Sequence, residues 1–210
     1  MNDLENDINT LNNCFNKVIR NIGEISIGNK KQFPFGWRKA AKGRTVWRIV
    51  EEAIVQNAEK CFNNSNEYKV KSSDSEIGVY DLTIEPKKSS EQLYINIKSA
   101  VKSGKKRRDD ISKADKLKEF YEEDINKKLF IATFIIDFTV NMTINICNVI
   151  VKPINWIPDI YVNPSNNGNL QSSEYKSELS EIRTNEEFLT ELKKQINISN
   201  NKKINKISKS

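Results

Sequence analysis

Three features of the chain predict an α/β fold with a mixed central β-sheet flanked by helices. The first is a pair of short β-like runs around a polar turn, Val79 to Ile84 and Leu93 to Ile97. The second is a nearly continuous apolar run, Leu129 to Phe138, the pattern of a strand buried on both faces. The third is apolar spacing of three and four at both ends of the first sixty residues, which is helical. Helices interspersed with strands, and a strand that follows a helix after a hairpin, favour a mixed sheet covered on both faces.

The elements follow in order. Asp3 to Ile22 carries Leu4, Ile8, Leu11, Phe15, Val18 and Ile19 at helical spacing, so a helix is expected within about residues 1–30. Residues 32–44 are broken by Pro34, Gly36 and Gly43, and set Arg38, Lys39, Lys42 and Arg44 among aromatics that include Trp37. Thr45 is a plausible N-cap for a helix to Phe62, whose stripe of Val46, Ile49, Val50, Ala53, Ile54 and Ala58 would cover the sheet. Glu67 to Lys71 reads as a first strand, followed by the hairpin of residues 77–99. Lys102, Lys105, Lys106, Arg107 and Arg108 then crowd around Gly104. Asp110 or Ser112 can cap a helix through Ile111, Ala114, Leu117, Phe120 and Tyr121. After the two strands of residues 128–151, Pro153, Pro158, Pro164 and Gly168 mark a long structured loop over about 153–175. Thr184 to Ile196 reads as a terminal helix, and residues 199–210 as a basic, disordered tail. With 210 residues, the expectation is one domain over 1–198.

Composition narrows the chemistry. There is no histidine, which excludes His-ligated zinc, His general bases and Ser-His-Asp hydrolysis. Any hydrolysis must run on carboxylates, lysine and a cation. Cys14, Cys61 and Cys147 are scattered and odd in number, fitting neither a disulfide framework nor a zinc cluster, and so favour a reducing cytoplasm. The N-terminus lacks the apolar core of a signal peptide, and Leu129 to Phe138 is too short to span a bilayer, so no membrane is expected. Lys and Arg total 34 against 28 acids, a formal charge of +6 that is clustered, which suits a polyanionic partner.

The candidate site lies on the hairpin. Residues two apart on a strand share a face, so Asn96 and Lys98 project together, and Asp81 can lie beside them if the two runs pair. A carboxylate, an oxygen ligand and a lysine on one face can hold Mg²⁺ and activate a water.

This pattern, Tyr80-Asp81 then Asn96-Ile97-Lys98, resembles the PD-(D/E)XK nuclease superfamily, and type II restriction endonucleases in particular. The resemblance covers roughly residues 36–150, and the "DIS-KA-KL" helix after the basic run is similar to one found in restriction enzymes. Two positions depart from the family pattern: Tyr80 stands in place of Pro, and Asn96 in place of an acid. The resemblance implies a restriction-endonuclease-like fold and a Mg²⁺-dependent, sequence-specific cleavage of double-stranded DNA by a homodimer. It implies catalytic roles for Asp81, Asn96 and Lys98, and metal ligation by Asp81, Asn96, the Ile97 carbonyl and Glu52 on the first covering helix.

DNA contacts are expected from Arg38, Lys39, Lys42 and Arg44, from Lys102, Lys105, Lys106, Arg107 and Arg108, and, in a recognition loop, from Asn166, Asn167, Asn169 and Gln171. An amide at position 96 binds Mg²⁺ more weakly than a carboxylate, as in an inactivated variant, and Asn96→Asp is expected to raise cleavage. Two alternatives stay open: a non-catalytic DNA-binding protein on the same scaffold, and another nuclease of the superfamily acting in repair or junction resolution.

Overall fold

A computed structural model of the chain describes residues 3–37, 42–64, 67–74, 78–87, 91–165 and 168–207, without the side chains of residues 42, 44, 206 and 207. In chain order it forms α1 (Asp3–Ile22), β1 (Glu24–Ser26), α2 (Lys42–Asn63), β2 (Tyr68–Ser72), β3 (Leu82–Pro86), β4 (Leu93–Val101), β5 (Asp109–Lys113), α3 (Ala114–Glu123), β6 (Lys128–Phe138), β7 (Thr143–Pro153), β8 (Tyr161–Val162), β9 (Asn169–Ser172) and α4 (Asn185–Ile207). The expected α/β class with a mixed, helix-flanked sheet is what forms. Six strands run in the order β1-β7-β6-β4-β3-β2, with β4 and β6 parallel and the other neighbours antiparallel. Parallel neighbours cannot be joined by a tight turn, and α3 lies in the connection that brings the chain back.

The strand patterning explains the two layers on this sheet. On β4, Leu93, Ile95 and Ile97 face the core built with α1 and α2, where Phe15, Val18, Val50 and Ile54 are fully buried. On β6, Phe130, Ala132, Phe134 and Ile136 join that core, while Leu129 and Ile131 face a second one with Leu117, Tyr121, Phe188 and Leu192 of α3 and α4. The continuous apolar run of β6 therefore reflects burial on both sides. Trp37 belongs to the packing: its ring lies edge-on to Phe138 at 4.8 Å, and its Nε1 donates to the Thr139 carbonyl at 3.1 Å.

Five expectations are corrected. Asp110, Ile111 and Ser112 belong to β5, so neither Asp110 nor Ser112 caps α3, which begins at Ala114 after Lys113. α2 begins at Lys42, so Thr45 lies inside it. The hairpin's first strand begins at Leu82, so Val79 to Asp81 approach β3 outside its ladder. The proline-rich stretch after β7 is built into a second sheet, in which β9 pairs with β5 on one side and β8 on the other. Residues 199–207 continue α4, with Ser199 buried at 1 % exposure, where a disordered tail was expected. Arg38, Lys39, Asn166 and Asn167 lie outside the described residues, as do the side chains of Lys42 and Arg44.

Candidate active site

Where β3 meets β4, three consecutive residues of β4 hold the segment that carries Asp81. The Asp81 amide donates to the Ile95 carbonyl at 2.8 Å. The Ile97 amide donates to Asp81 Oδ2 at 2.6 Å. Between them, Asn96 Nδ2 donates to the Val79 carbonyl at 2.8 Å. Asp81 is thus fixed by main chain on one carboxylate oxygen. Asn96 is buried, and its Oδ1 is enclosed with no hydrogen-bond donor.

Lys98 is half-buried on the same face of β4 as Asn96. Its neighbour across the parallel ladder is Thr133 of β6, whose hydroxyl donates to the Tyr175 carbonyl at 2.9 Å. The Tyr175 segment is pinned in turn by Lys152 of β7. That buried ammonium donates to the carbonyls of Glu174, Ser177 and Leu179 at 3.2, 2.6 and 2.6 Å, and burial holds its pKa below the ordinary lysine value.

The helix carboxylate that reaches the site is Glu51. Burial pushes its pKa up from 4.5 to about 7; the Lys98 and Arg48 charges oppose the rise and the Asp81 charge adds to it. Glu52, the residue expected from the sequence, is exposed and accepts a hydrogen bond from Gln56 Nε2 at 2.8 Å. Helical geometry explains the correction. At about 100° per residue, Glu52 lies opposite the buried stripe of Val46, Val50, Ile54 and Ala58, whereas Glu51 lies on its flank. The sequence carried that signal. Ile49 falls off the same stripe and is 49 % exposed.

Glu51 from α2, Asp81 from before β3 and Lys98 from β4 therefore form one electrostatic group around Asn96 and Ile97. Two carboxylates, an amide oxygen and main-chain carbonyls are hard oxygen donors of the kind Mg²⁺ takes. The unpartnered Asn96 Oδ1 and the unrelieved proton affinity of Glu51 both fit a cation there. Among the described residues, no group of three or more His, Cys, Asp or Glu side chains is placed to hold a metal, so the amide would have to complete the set.

The basic segment is placed differently from the sequence expectation. Lys102 and Lys105 are exposed. Lys106 pairs with Glu174, Arg107 with Asp109 at 3.3 Å, and Arg108 with Asp159 at 3.6 Å while lying over the Tyr161 ring at 4.6 Å. These contacts strap residues 106–108 to the second sheet. In that sheet, Gln171 donates to Asp110 at 2.6 Å and accepts from Asn163 at 3.2 Å, so its amide already joins β9 to β5. Asn169 lies in β9, with its Oδ1 buried and without a donor.

No family model matches the chain, and no curated protein matches it. No helix among the described residues is long and apolar enough to cross a membrane.

Proposed function

We propose that the chain is a Mg²⁺-dependent, sequence-specific endonuclease of double-stranded DNA, of the type II restriction kind, acting as a cytoplasmic homodimer. The observation that carries this reading is that Asp81, bonded to the Ile97 amide beside Lys98, and Lys98 itself both act electrostatically on the buried Glu51, three residues drawn from three separate elements. Homodimerisation follows from two-fold duplex targets, which two-fold proteins match.

Asp81, Glu51, the Asn96 amide oxygen and the Ile97 carbonyl would hold the cation. When bound, Mg²⁺ supplies a lowered pKa for the attacking water and neutralises charge on the scissile phosphate. Asp81 comes to this task preoriented by the Ile97 amide. Lys98 orients the water, and its ammonium offsets charge that grows on the phosphoryl oxygens. Glu51 would hold the cation as its carboxylate. Exposed Lys102 and Lys105 supply phosphate contacts.

The test is digestion of plasmid and long linear DNA with Mg²⁺. Discrete fragments, reproduced on several templates and abolished by EDTA, support the reading. Absence of cleavage with either Mg²⁺ or Mn²⁺, on DNA that the protein binds, would pass the chain to the second reading, a non-catalytic DNA-binding protein. The neutral Asn96 favours that alternative.

A further inference from the structure

The β3–β4 ladder changes character at its end. Leu82 faces Ile95, Thr83 faces Tyr94 and Ile84 faces Leu93 as main-chain partners. Beyond Leu82, side chains take over two of the three links: the Asp81 carboxylate accepts the Ile97 amide, and the Asn96 side chain donates to the Val79 carbonyl. The sense of the second bond is fixed by chemistry. A carbonyl has only lone pairs to offer, so the end of the Asn96 side chain facing Val79 must be the NH₂. Asn96 is 3 % exposed, so water cannot substitute for that donor.

We propose that Asn96 is an amide by requirement: it is a positioning residue whose NH₂ sets the Val79–Asp81 approach to β4 and leaves Oδ1 facing inward as a neutral oxygen. An aspartate of the same shape could give a proton to the Val79 carbonyl only by taking one up, which costs free energy at neutral pH and leaves the site without the added anion; ionised, it has none to give. It would set a carboxylate oxygen against the Val79 carbonyl oxygen, two buried acceptors without a donor, and add a negative charge beside Asp81 and Glu51. Asn96→Asp therefore lowers cleavage, the opposite of what the family pattern suggests. The activity arm of this inference rests on the nuclease reading; the stability arm does not.

The experiment compares the wild type with Asn96→Ala and Asn96→Asp. Three quantities are measured: single-turnover cleavage at saturating Mg²⁺ and DNA, DNA affinity in EDTA, and Tm in EDTA and in Mg²⁺. The expected order of rates is wild type, then Ala, then Asp, with Asp down about tenfold to a hundredfold, the range set by an unsatisfied buried acceptor. DNA affinity in EDTA should stay within about twofold, a split that general unfolding would not give. Tm should follow the same order, and Mg²⁺ should not restore the Asp variant. Cleavage by Asn96→Asp at or above the wild-type rate, or recovery of its Tm to the wild-type value in Mg²⁺, would overturn the inference and identify position 96 as a weakened acid site. If the wild type cuts no DNA, the nuclease reading fails by itself and the Tm order still decides. Wild type above Ala and Asp supports the amide requirement; either Ala or Asp at or above the wild type overturns it.

Discussion

Two clusters of mixed charge in this fold are compensated to different degrees. On the second sheet, burial works to raise the pKa of Asp159. The Ser172 hydroxyl, the Ser173 amide and hydroxyl and the Glu174 amide outweigh it and hold the carboxyl below the ordinary range. Glu174 is lowered likewise by Lys106 and the Ser177 hydroxyl. At the β3–β4 junction, Glu51 goes the other way: burial raises it to about 7 although Lys98 and Arg48 act to lower it. A satisfied network is the signature of scaffolding, whereas an ionisable group left in conflict with its surroundings marks a place kept ready for something else. The lysines and arginines of this chain are therefore compensated unequally: residues 106–108 hold the second sheet, while Lys98 lies in the unrelieved cluster, where the proposed reading assigns it to chemistry.

After the complete loss of cleavage expected at Asp81, the largest effect is at Lys98. Lys98→Ala should reduce Mg²⁺-dependent cleavage by roughly a hundredfold to a thousandfold, the scale of removing one transition-state donor, with little change in melting. If the variant cut DNA at the wild-type rate, the contrast between the two clusters would lose its functional half.

Glu51 sharpens the contrast through pH. Its folded-state pKa is raised from 4.5 to about 7. Below 4.5 it is protonated in both states and costs nothing; above about 7 it is ionised in both, and the folded state bears the full penalty. In EDTA, Glu51→Gln should thus be more stable than the wild type by roughly 3 kcal/mol at pH 8, and equal to it at pH 4. Urea titrations at the two pH values check this, and a gain that did not depend on pH would contradict it.

Asp159 should behave in the opposite sense. Its lowered pKa contributes stability that is present above the unfolded-state value and lost as pH falls through the folded one. Asp159→Ala should cost roughly 2 kcal/mol at neutral pH, by stranding the Ser172, Ser173 and Glu174 donors, and should leave cleavage by the folded protein unchanged. A cleavage defect without a change in melting would undo the assignment of this network to scaffolding.

The smallest effects belong to the exposed basic residues. Lys102→Ala and Lys105→Ala should each reduce the slope of log affinity for DNA against log salt by about 0.9, while Arg107→Ala, whose charge already faces Asp109, should change it less. Equal changes in all three would show that the ion pairs of the strap open on DNA.

Strand and helix content was legible because it rests on periodicity. The stripes of α1 and α2, the two-faced run of β6 and the alternation on β4 each follow from which side of an element must be buried. The placing of Asp81 against β4, on the amide of Ile97 next to Lys98, was legible for the same reason, since a hairpin brings neighbouring strands together. What the sequence hid depends on contacts between distant segments. The partners of Lys106, Arg107 and Arg108 lie two to sixty-eight residues away along the chain, so a run that reads as free positive charge is largely neutralised. Lys152 looks like an ordinary polar position of an alternating strand, but its three acceptors belong to the Glu174–Leu179 segment. The role of the Asn96 amide could not be read at all, because the Val79 carbonyl becomes its partner only when β3 starts late.

On the proposed reading, chemistry resides at the Glu51–Asp81–Lys98 group and not in the second sheet. Cleavage of long duplex DNA in Mg²⁺ by Asp81→Asn, set beside Asp159→Asn, tests it most directly. Asparagine can still accept the Ile97 amide, so Asp81→Asn should stay folded and bind DNA but cut none, while Asp159→Asn should melt lower and still cut. Undiminished cutting by Asp81→Asn, in a preparation where the wild type cuts, would contradict the account.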